Sequence, residues 1–127
     1  MAIWQGKSNR KPTGGRRVPS ANKRKFEIGR EKQFTKLGAE SLKQYRGAGG
    51  NVKVGMLVAE YANVVDKNSG KVTKMKIVNV SANPADPNYI QRNILNKGAT
   101  IDLEDGSKAV VTSRPGQDGS VNAILLA

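Results

Sequence analysis

Residues 51–80 read NVKVGMLVAEYANVVDKNSGKVTKMKIVNV, and this stretch decides the fold. Apolar side chains alternate along residues 52–58, a pattern typical of a β-strand with one buried face. Residues 66–70, DKNSG, predict a tight turn because Asp, Asn, Ser and Gly all favour turn conformations. Residues 72–80 then return as a second strand. Its apolar side chains change face near Ile77, which predicts a β-bulge at that point.

The sequence after these two strands continues in the same way. We predict further short strands at residues 100–104, 108–112 and 121–126. An Asp105-Gly106 hairpin turn and a longer turn at residues 113–119 join them. Asp86 is predicted to cap a short helix with Pro87 in its first position. The predicted fold is therefore mainly β: a small barrel or half-barrel of five to six antiparallel strands with one short helix, preceded by a long basic extended arm.

The core of this fold follows from the same alternation. The predicted core side chains are Val54, Met56, Val58, Tyr61, Val64, Ile77, Val80, Ile94, Ile101, Leu103, Val111, Val121, Ala123 and Leu125. A Gly-rich hinge at residues 47–50 divides the chain, so we predict an arm at residues 1–50 and a β-barrel domain at residues 51–127. Within the arm, residues 30–45 form a possible helix, which Gly38 in the middle weakens.

The arm is predicted to be disordered when free. Residues 1–25 contain eight Lys and Arg and no acidic residue, so this segment repels itself and has little apolar area to bury. Pro and Gly at positions 12, 14, 15 and 19 disfavour a long helix. We therefore expect this segment to become ordered only on a partner.

The uneven distribution of charge indicates what that partner is. Residues 1–54 carry fourteen Lys and Arg against three acidic residues, a net charge of +11, whereas residues 55–127 carry eight against seven, a net charge of +1. Such asymmetry indicates a polyanion. The cations occur in small groups separated by Gly, Pro and Ser, which suits an irregular phosphate surface better than a regular groove. This favours RNA over DNA, as does the lack of a recognisable helix-turn-helix, zinc finger or basic zipper.

Composition excludes several other classes of function. The chain has no Cys and no His, so it lacks thiolate nucleophiles, imidazole bases and the usual zinc ligands. Asp102, Glu104 and Asp105 suggest either a metal site or a solvated turn, and the turn is the simpler interpretation. No stretch approaches the roughly 20 apolar residues of a membrane span. We therefore predict no catalytic residues, no metal, no cofactor, no small-molecule substrate and no membrane partner.

Trp4 is unusual because it lies among the cations of the arm. An indole ring in a disordered basic segment has no local core to enter. It can stack on an unpaired base or dock on a neighbouring protein. The alternative is that it packs back on this chain's own barrel.

Several stretches together carry a family resemblance. MAIWQGKS at residues 1–8 and RKPTGGR at residues 10–16 resemble the start of the archaeal and eukaryotic small-subunit ribosomal protein eight family, which is distinct from the bacterial protein of that number. Further similar stretches follow in order at residues 23–25, 29–31, 34–35, 49–51, 61–64, 93–94, 97–99 and 112–119. Eukaryotic members carry a long insertion in the second half that this chain lacks, so the resemblance is to an archaeal member.

The resemblance implies a structural protein of the small ribosomal subunit, cytoplasmic and ribosome-bound, with rRNA and neighbouring small-subunit proteins as partners. Its barrel would lie on the rRNA surface while the basic extension neutralises phosphates between rRNA helices. The alternative is a non-ribosomal RNA-binding factor in assembly or translation. An enzyme acting on RNA is a third class, and the lack of His argues against it.

The residues expected to bind RNA are Trp4 and most cations of the arm, together with cations expected on the RNA-facing side of the barrel. They are Trp4, Lys7, Arg10, Lys11, Arg16, Arg17, Lys23, Arg24, Lys25, Arg30, Lys36, Arg46, Lys53, Arg92, Lys97 and Arg114. Arg114 lies in a Gly- and Pro-containing loop whose backbone N–H groups can also meet phosphate. For Arg114 the alternative is a hydrogen bond that braces its own loop.

Overall fold

The computed structural model describes residues 3–126 and divides the chain into two compact units, with the boundary between Lys32 and Gln33. In the N-terminal unit, β1 (Ile3–Trp4) pairs antiparallel with β2 (Ile28–Gly29). A 3₁₀ helix at Lys25–Glu27 leads directly into β2. No residue in the described part of this unit is buried.

The second unit contains two sheets and two short helices. In chain order its elements are β3 (Thr35–Leu37), β4 (Ser41–Arg46), β5 (Val52–Ala59), β6 (Tyr61–Val65), β7 (Val72–Ala82), α1 (Asn88–Gln91), β8 (Ile94–Leu95), β9 (Thr100–Leu103), β10 (Lys108–Val111), α2 (Pro115–Asp118) and β11 (Asn122–Leu125), with a 3₁₀ turn at Ala48–Gly50. Five strands close into a barrel in the order β10-β11-β6-β7-β9. The other four form a sheet in the order β4-β5-β3-β8. The predicted mainly β fold with a small barrel is confirmed.

The turn and the bulge predicted within residues 51–80 are both present. The Asp66 carboxylate accepts hydrogen bonds from the Asn68 N–H at 2.9 Å and the Ser69 hydroxyl at 2.7 Å. The pairing of β7 with β9 shifts register between Ile77 and Asn79, where the apolar phase changes. Closure of the barrel then buries the inward side chains, including Val64, Val80 and Ile101 at 0–2% exposure.

The structure differs from the sequence prediction in three strand and helix assignments. β11 pairs in parallel with β6, and β3 pairs in parallel with β5, so the strands are not all antiparallel. Alternation of side chains is the same in both orientations, so the pattern cannot tell them apart. Residues 30–45 form β3 and β4 in place of a helix, because both strands hydrogen-bond to β5. A second short helix, α2, lies within the turn predicted at residues 113–119.

The core prediction holds for most positions and fails at one. Ten of the predicted side chains are buried, and Val54, Val58 and Leu125 are partly buried. Tyr61 is 39% exposed, because Ala62 and Val64 of the same strand point inward and alternation sends Tyr61 outward.

The second compact unit includes the segment that precedes β5. β3 and β4 belong to the same sheet as β5, so the compact unit begins at Gln33. The Gln33 amide and the Thr35 hydroxyl both donate to the Met56 carbonyl oxygen, at 3.0 and 2.7 Å. These bonds tie Gln33 and the start of β3 to β5.

Helix α2 lies close against β5. A Cβ atom placed on Gly55 would be 2.6 Å from the Gly116 carbonyl oxygen, so only glycine permits this approach. Among residues 3–126, no helix is long and apolar enough to cross a membrane.

Candidate nucleic-acid interface

The N-terminal unit exposes all of its predicted RNA-binding cations. Residues 1–32 carry ten Lys and Arg against Glu27 and Glu31, a net charge of +8. An isolated bridge between Arg10 and Arg16 folds part of the segment into a loop, and the Arg10 guanidinium donates to the Gly14 carbonyl at 3.0 Å. Within the described chain, none of the eight cations of residues 7–25 forms an ion pair with a carboxylate. Their charge is therefore available to an external anion.

Trp4 is held at one edge within the N-terminal unit. Its indole N–H donates to the Lys7 carbonyl at 3.0 Å, and the ring lies over Gly6, where a Cβ atom would be 2.5 Å from the ring. The side chain is partly exposed. Stacking of the exposed part of the Trp4 ring on an unpaired base or a neighbouring protein stays a prediction.

In the second unit the sheets bring some predicted cations together and leave others apart. All six, Lys36, Arg46, Lys53, Arg92, Lys97 and Arg114, are exposed. Lys36 of β3 lies opposite Ile94 of β8, two residues after Arg92. Arg46 lies opposite Val52, next to Lys53, at the turn end of the β4–β5 hairpin. Lys36 and Arg92 thus belong to neighbouring segments, whereas Arg46 and Lys53 lie at the same end of one hairpin with their side chains on opposite faces.

Arg92 lies over one of two aromatic rings that contact each other. The Phe34 and Tyr89 ring centroids are 5.2 Å apart, and the Arg92 guanidinium carbon lies 5.6 Å from the Phe34 centroid. Stacking on an aromatic face leaves the edge of a guanidinium free to donate to phosphate. The sequence prediction of RNA-binding residues omitted Phe34 and Tyr89. Phe34 lies far from Arg92 in the sequence, so no local spacing indicates their contact.

Arg114 precedes α2, and its loop is braced by groups other than its guanidinium. The Arg114 backbone N–H donates to the Asp118 carboxylate at 2.9 Å, and the Ser113 hydroxyl donates to the Ser120 carbonyl at 2.9 Å. Gly119 ends the helix with φ 72°, a conformation that favours glycine. The guanidinium forms no hydrogen bond to another residue that the structure describes, so it is free for an external acceptor.

Three of the lysines that were absent from the sequence prediction contact a ring or a carboxylate. The Lys43 ammonium lies 5.5 Å from the Tyr45 centroid, and the Lys74 ammonium lies 4.8 Å from the Tyr61 centroid. Lys76 lies 3.1 Å from the Glu60 carboxylate, whose hydrogen bond and negative charge raise the pKa of Lys76. Lys76 therefore stays protonated, and the Glu60 carboxylate offsets its charge. Lys43 and Lys74 lie against rings instead.

The acidic residues near the β9–β10 hairpin do not assemble a metal site. The Lys108 ammonium lies 3.9 Å from the Asp102 carboxylate. Among the residues that the structure describes, no group of three or more Asp and Glu side chains is arranged to hold a metal ion.

Comparison with known proteins gives a consistent result over the whole chain. The sequence model of the family described as Ribosomal protein S8e matches residues 4–126. Three archaeal relatives are each called small ribosomal subunit protein eS8. That of Methanocorpusculum labreanum is 53% identical over 98% of both chains. That of Picrophilus torridus is 48% identical over 99% of this chain and 100% of its own, and that of Methanoregula boonei is 50% identical over 98% and 99%. The resemblance found in the sequence is thus confirmed, and the chain belongs to the ribosomal protein S8e family.

Proposed function

We propose that this protein is a structural constituent of the small ribosomal subunit that binds rRNA. The N-terminal arm neutralises phosphates where rRNA helices approach each other. The second unit, which we call the β unit, anchors the protein on the rRNA surface. The observation that carries this proposal is the run of eight exposed cations in residues 1–25, unpaired with any carboxylate of the described chain and preceding the first acidic residue.

The arm suits phosphate neutralisation for an electrostatic reason. Each cation that contacts a phosphate releases condensed counterions, which favours binding and makes it depend on salt. Within the free protein, nearby like charges oppose compaction of residues 1–25. We propose that this segment is disordered when free and becomes ordered as rRNA phosphates cancel the repulsion.

The β unit supplies fixed rather than flexible contacts. Arg92 follows α1 with its guanidinium carbon 5.6 Å from the Phe34 centroid, Lys36 is exposed on β3, and Arg114 is exposed beside α2. These side chains extend from a unit with a buried core, so their backbone positions are held better than those of an irregular segment. We propose that these cations set the register of the β unit on rRNA.

The implied partners and location follow from the same proposal. The protein binds small-subunit rRNA and lies beside other small-subunit proteins, bound to cytoplasmic ribosomes. Its role is structural and involves no catalysis, cofactor or small-molecule substrate. The names of the relatives support the subunit, and the charge distribution supports rRNA as the partner.

Quantitative mass spectrometry of this chain across a sucrose gradient of native lysate, after a high-salt wash, tests the proposal. We expect one copy per small subunit, retained through the wash, since many contacts must break together for release. Loss in the wash, or a peak only in free or precursor-particle fractions, would contradict the proposal. That result would favour a transient RNA-binding assembly or translation factor.

A further inference from the structure

A row of polar side chains crosses the outside of the barrel, and none of them was among the predicted RNA-binding residues. We call Tyr61, Asn63, Lys74 and Asn122 the barrel row. Asn63 lies directly opposite Lys74 on one side and opposite Asn122 on the other, so the three form one line across β7, β6 and β11. Tyr61 lies two positions from Asn63 on the same strand, and thus on the same face.

Strand alternation shows that this face is external. Ala62 and Val64, which lie between and beside the row positions on β6, are 1% and 2% exposed. Tyr61 is 39% exposed, and Asn63, Lys74 and Asn122 are exposed as well. The barrel core is complete without the Tyr61 ring, so the ring presents an accessible aromatic face.

Lys74 supplies a positive charge on this face that no carboxylate of the described residues neutralises. The Lys74 ammonium lies 4.8 Å from the Tyr61 ring centroid and pairs with no carboxylate among residues 3–126. The acidic residue next to Tyr61, Glu60, is already bound to Lys76 at 3.1 Å. An anion that approaches the Tyr61 ring therefore meets the Lys74 ammonium, for which Glu60 does not compete.

The two amides add hydrogen-bonding groups in a fixed arrangement. The Asn63 side-chain amide donates to the Asn122 side-chain oxygen at 3.1 Å. This bond orients both groups, and it leaves the Asn63 oxygen as an acceptor and the Asn122 amide as a donor. A donor and an acceptor side by side match the edge of a nucleobase.

Ring, cation and amides together fit one chemical class of ligand. An aromatic face stacks an unpaired base, a nearby cation meets the adjoining phosphate, and paired amides meet the base edge. The unpaired Lys74 ammonium at the ring favours an anionic ligand, and the phosphates of a nucleic acid supply that charge. We propose that the barrel row binds a single-stranded RNA segment, with one base stacked on Tyr61 and its phosphate at Lys74. This inference rests on the proposed function, because it names a further contact with the same kind of partner.

The test places a local reporter in the full chain. Trp4→Phe removes the native indole, and Tyr61→Trp places an indole in the barrel row. A labelled ten-nucleotide oligoadenylate reports overall binding by anisotropy, while indole fluorescence reports contact at position 61. We expect single-stranded oligoadenylate to quench the indole, and an abasic oligonucleotide of equal length to leave it unquenched. Duplex RNA, whose bases are not free to stack, should quench it far less.

Matched variants separate a specific contact from general attraction. Adding Lys74→Gln should weaken the quenching affinity about fivefold at about 0.1 M salt, the effect of one lost phosphate contact on a single strand. Lys108→Gln, which removes a barrel cation already paired with Asp102, should change it less than twofold. Equal effects of the two substitutions would overturn the role of Lys74.

The two readouts distinguish failure of this inference from failure of the proposed function. No anisotropy change would contradict RNA binding by the protein as a whole. Anisotropy change without quenching, or equal quenching by the abasic oligonucleotide, would overturn the barrel row alone and leave the surface to a protein neighbour. If Tyr61→Trp unfolds the chain, photo-crosslinking of the unaltered protein to a thiouridine-labelled single strand answers the same question. Crosslinks at Tyr61 are expected, and crosslinks confined to residues 1–32 would overturn the inference.

Discussion

Residues 3–32 and residues 33–126 differ in both burial and charge. The first unit has no buried residue in its described part and carries ten cations against two acidic residues. The second has fifteen buried apolar side chains and carries twelve cations against eight acidic residues. The comparison teaches that the buried core and most of the net positive charge belong to different parts of one chain. Substitutions should therefore change one property without the other.

The largest expected effect is on the salt dependence of RNA binding. Deleting residues 1–25 removes eight cations, so the slope of log K against log salt concentration for small-subunit rRNA should flatten by about 5 to 7 units. Replacing the same eight residues by Gln in the full chain should give the same change, which controls for the loss of length. Filter binding at several salt concentrations measures it. An unchanged slope would place the electrostatic affinity on the β unit.

A core substitution should break stability instead. Ile101 is fully buried in the barrel, so Ile101→Ala should lower the free energy of unfolding by about 2 to 5 kcal/mol through lost burial and a cavity. Val18 is 92% exposed in the first unit, and Val18→Ala should change the free energy of unfolding by less than about 0.5 kcal/mol. Urea denaturation of the two variants compares them directly. Similar losses would mean that the first unit contributes to the cooperative fold.

A smaller loss of stability is expected where α2 meets β5. Gly55→Ala would force a Cβ atom to within 2.6 Å of the Gly116 carbonyl, so it should cost about 1 to 3 kcal/mol of unfolding free energy. Gly116→Ala is the matched control on the facing element, where a Cβ atom would lie no closer than 3.5 Å to its neighbours. That change should be tolerated, and thermal denaturation of both variants checks the contrast. Equal losses would contradict the close approach at Gly55.

The smallest expected effect concerns the β6–β7 turn. Hydrogen bonds from the Ser69 hydroxyl and the Asn68 N–H hold the pKa of Asp66 below its ordinary value of 3.8. Its contribution to turn stability is therefore full above the ordinary pKa and is lost as pH falls through the lower folded value. Ser69→Ala should raise the pKa of Asp66 toward 3.8, as measured by NMR titration of the carboxyl carbon. No change in this pKa would show that the hydroxyl does not stabilise the carboxylate.

Local signals in the sequence predicted much of the second unit. The DKNSG turn, the Asp105-Gly106 turn and the phase change near Ile77 are encoded in a few neighbouring residues. The parallel pairing of β6 with β11 was not predictable, because it joins Asn63 to Asn122 across much of the chain. β3 and β4 were missed for a similar reason, since their strand conformation depends on β5.

The candidate interface was predictable in its charge and not in its geometry. Exposure of the cations follows from composition, because Lys and Arg are rarely buried. The ring partners of Arg92 and Lys74 depend on tertiary contacts, so the sequence did not indicate Phe34 or Tyr61 as their neighbours. Tyr61 was predicted to lie in the core together with Val64, although positions 61 and 64 are three apart and alternation along one strand sends them to opposite faces.

Amide hydrogen exchange of the full chain, free and bound to small-subunit rRNA, tests the division of roles most directly. We expect residues 33–126 to be protected in both states. Residues 3–32 should exchange rapidly in the free protein and become protected on rRNA, because phosphates replace the missing counter-charges. Uniform protection of residues 3–32 in the free protein, or rapid exchange that persists on rRNA, would contradict the account.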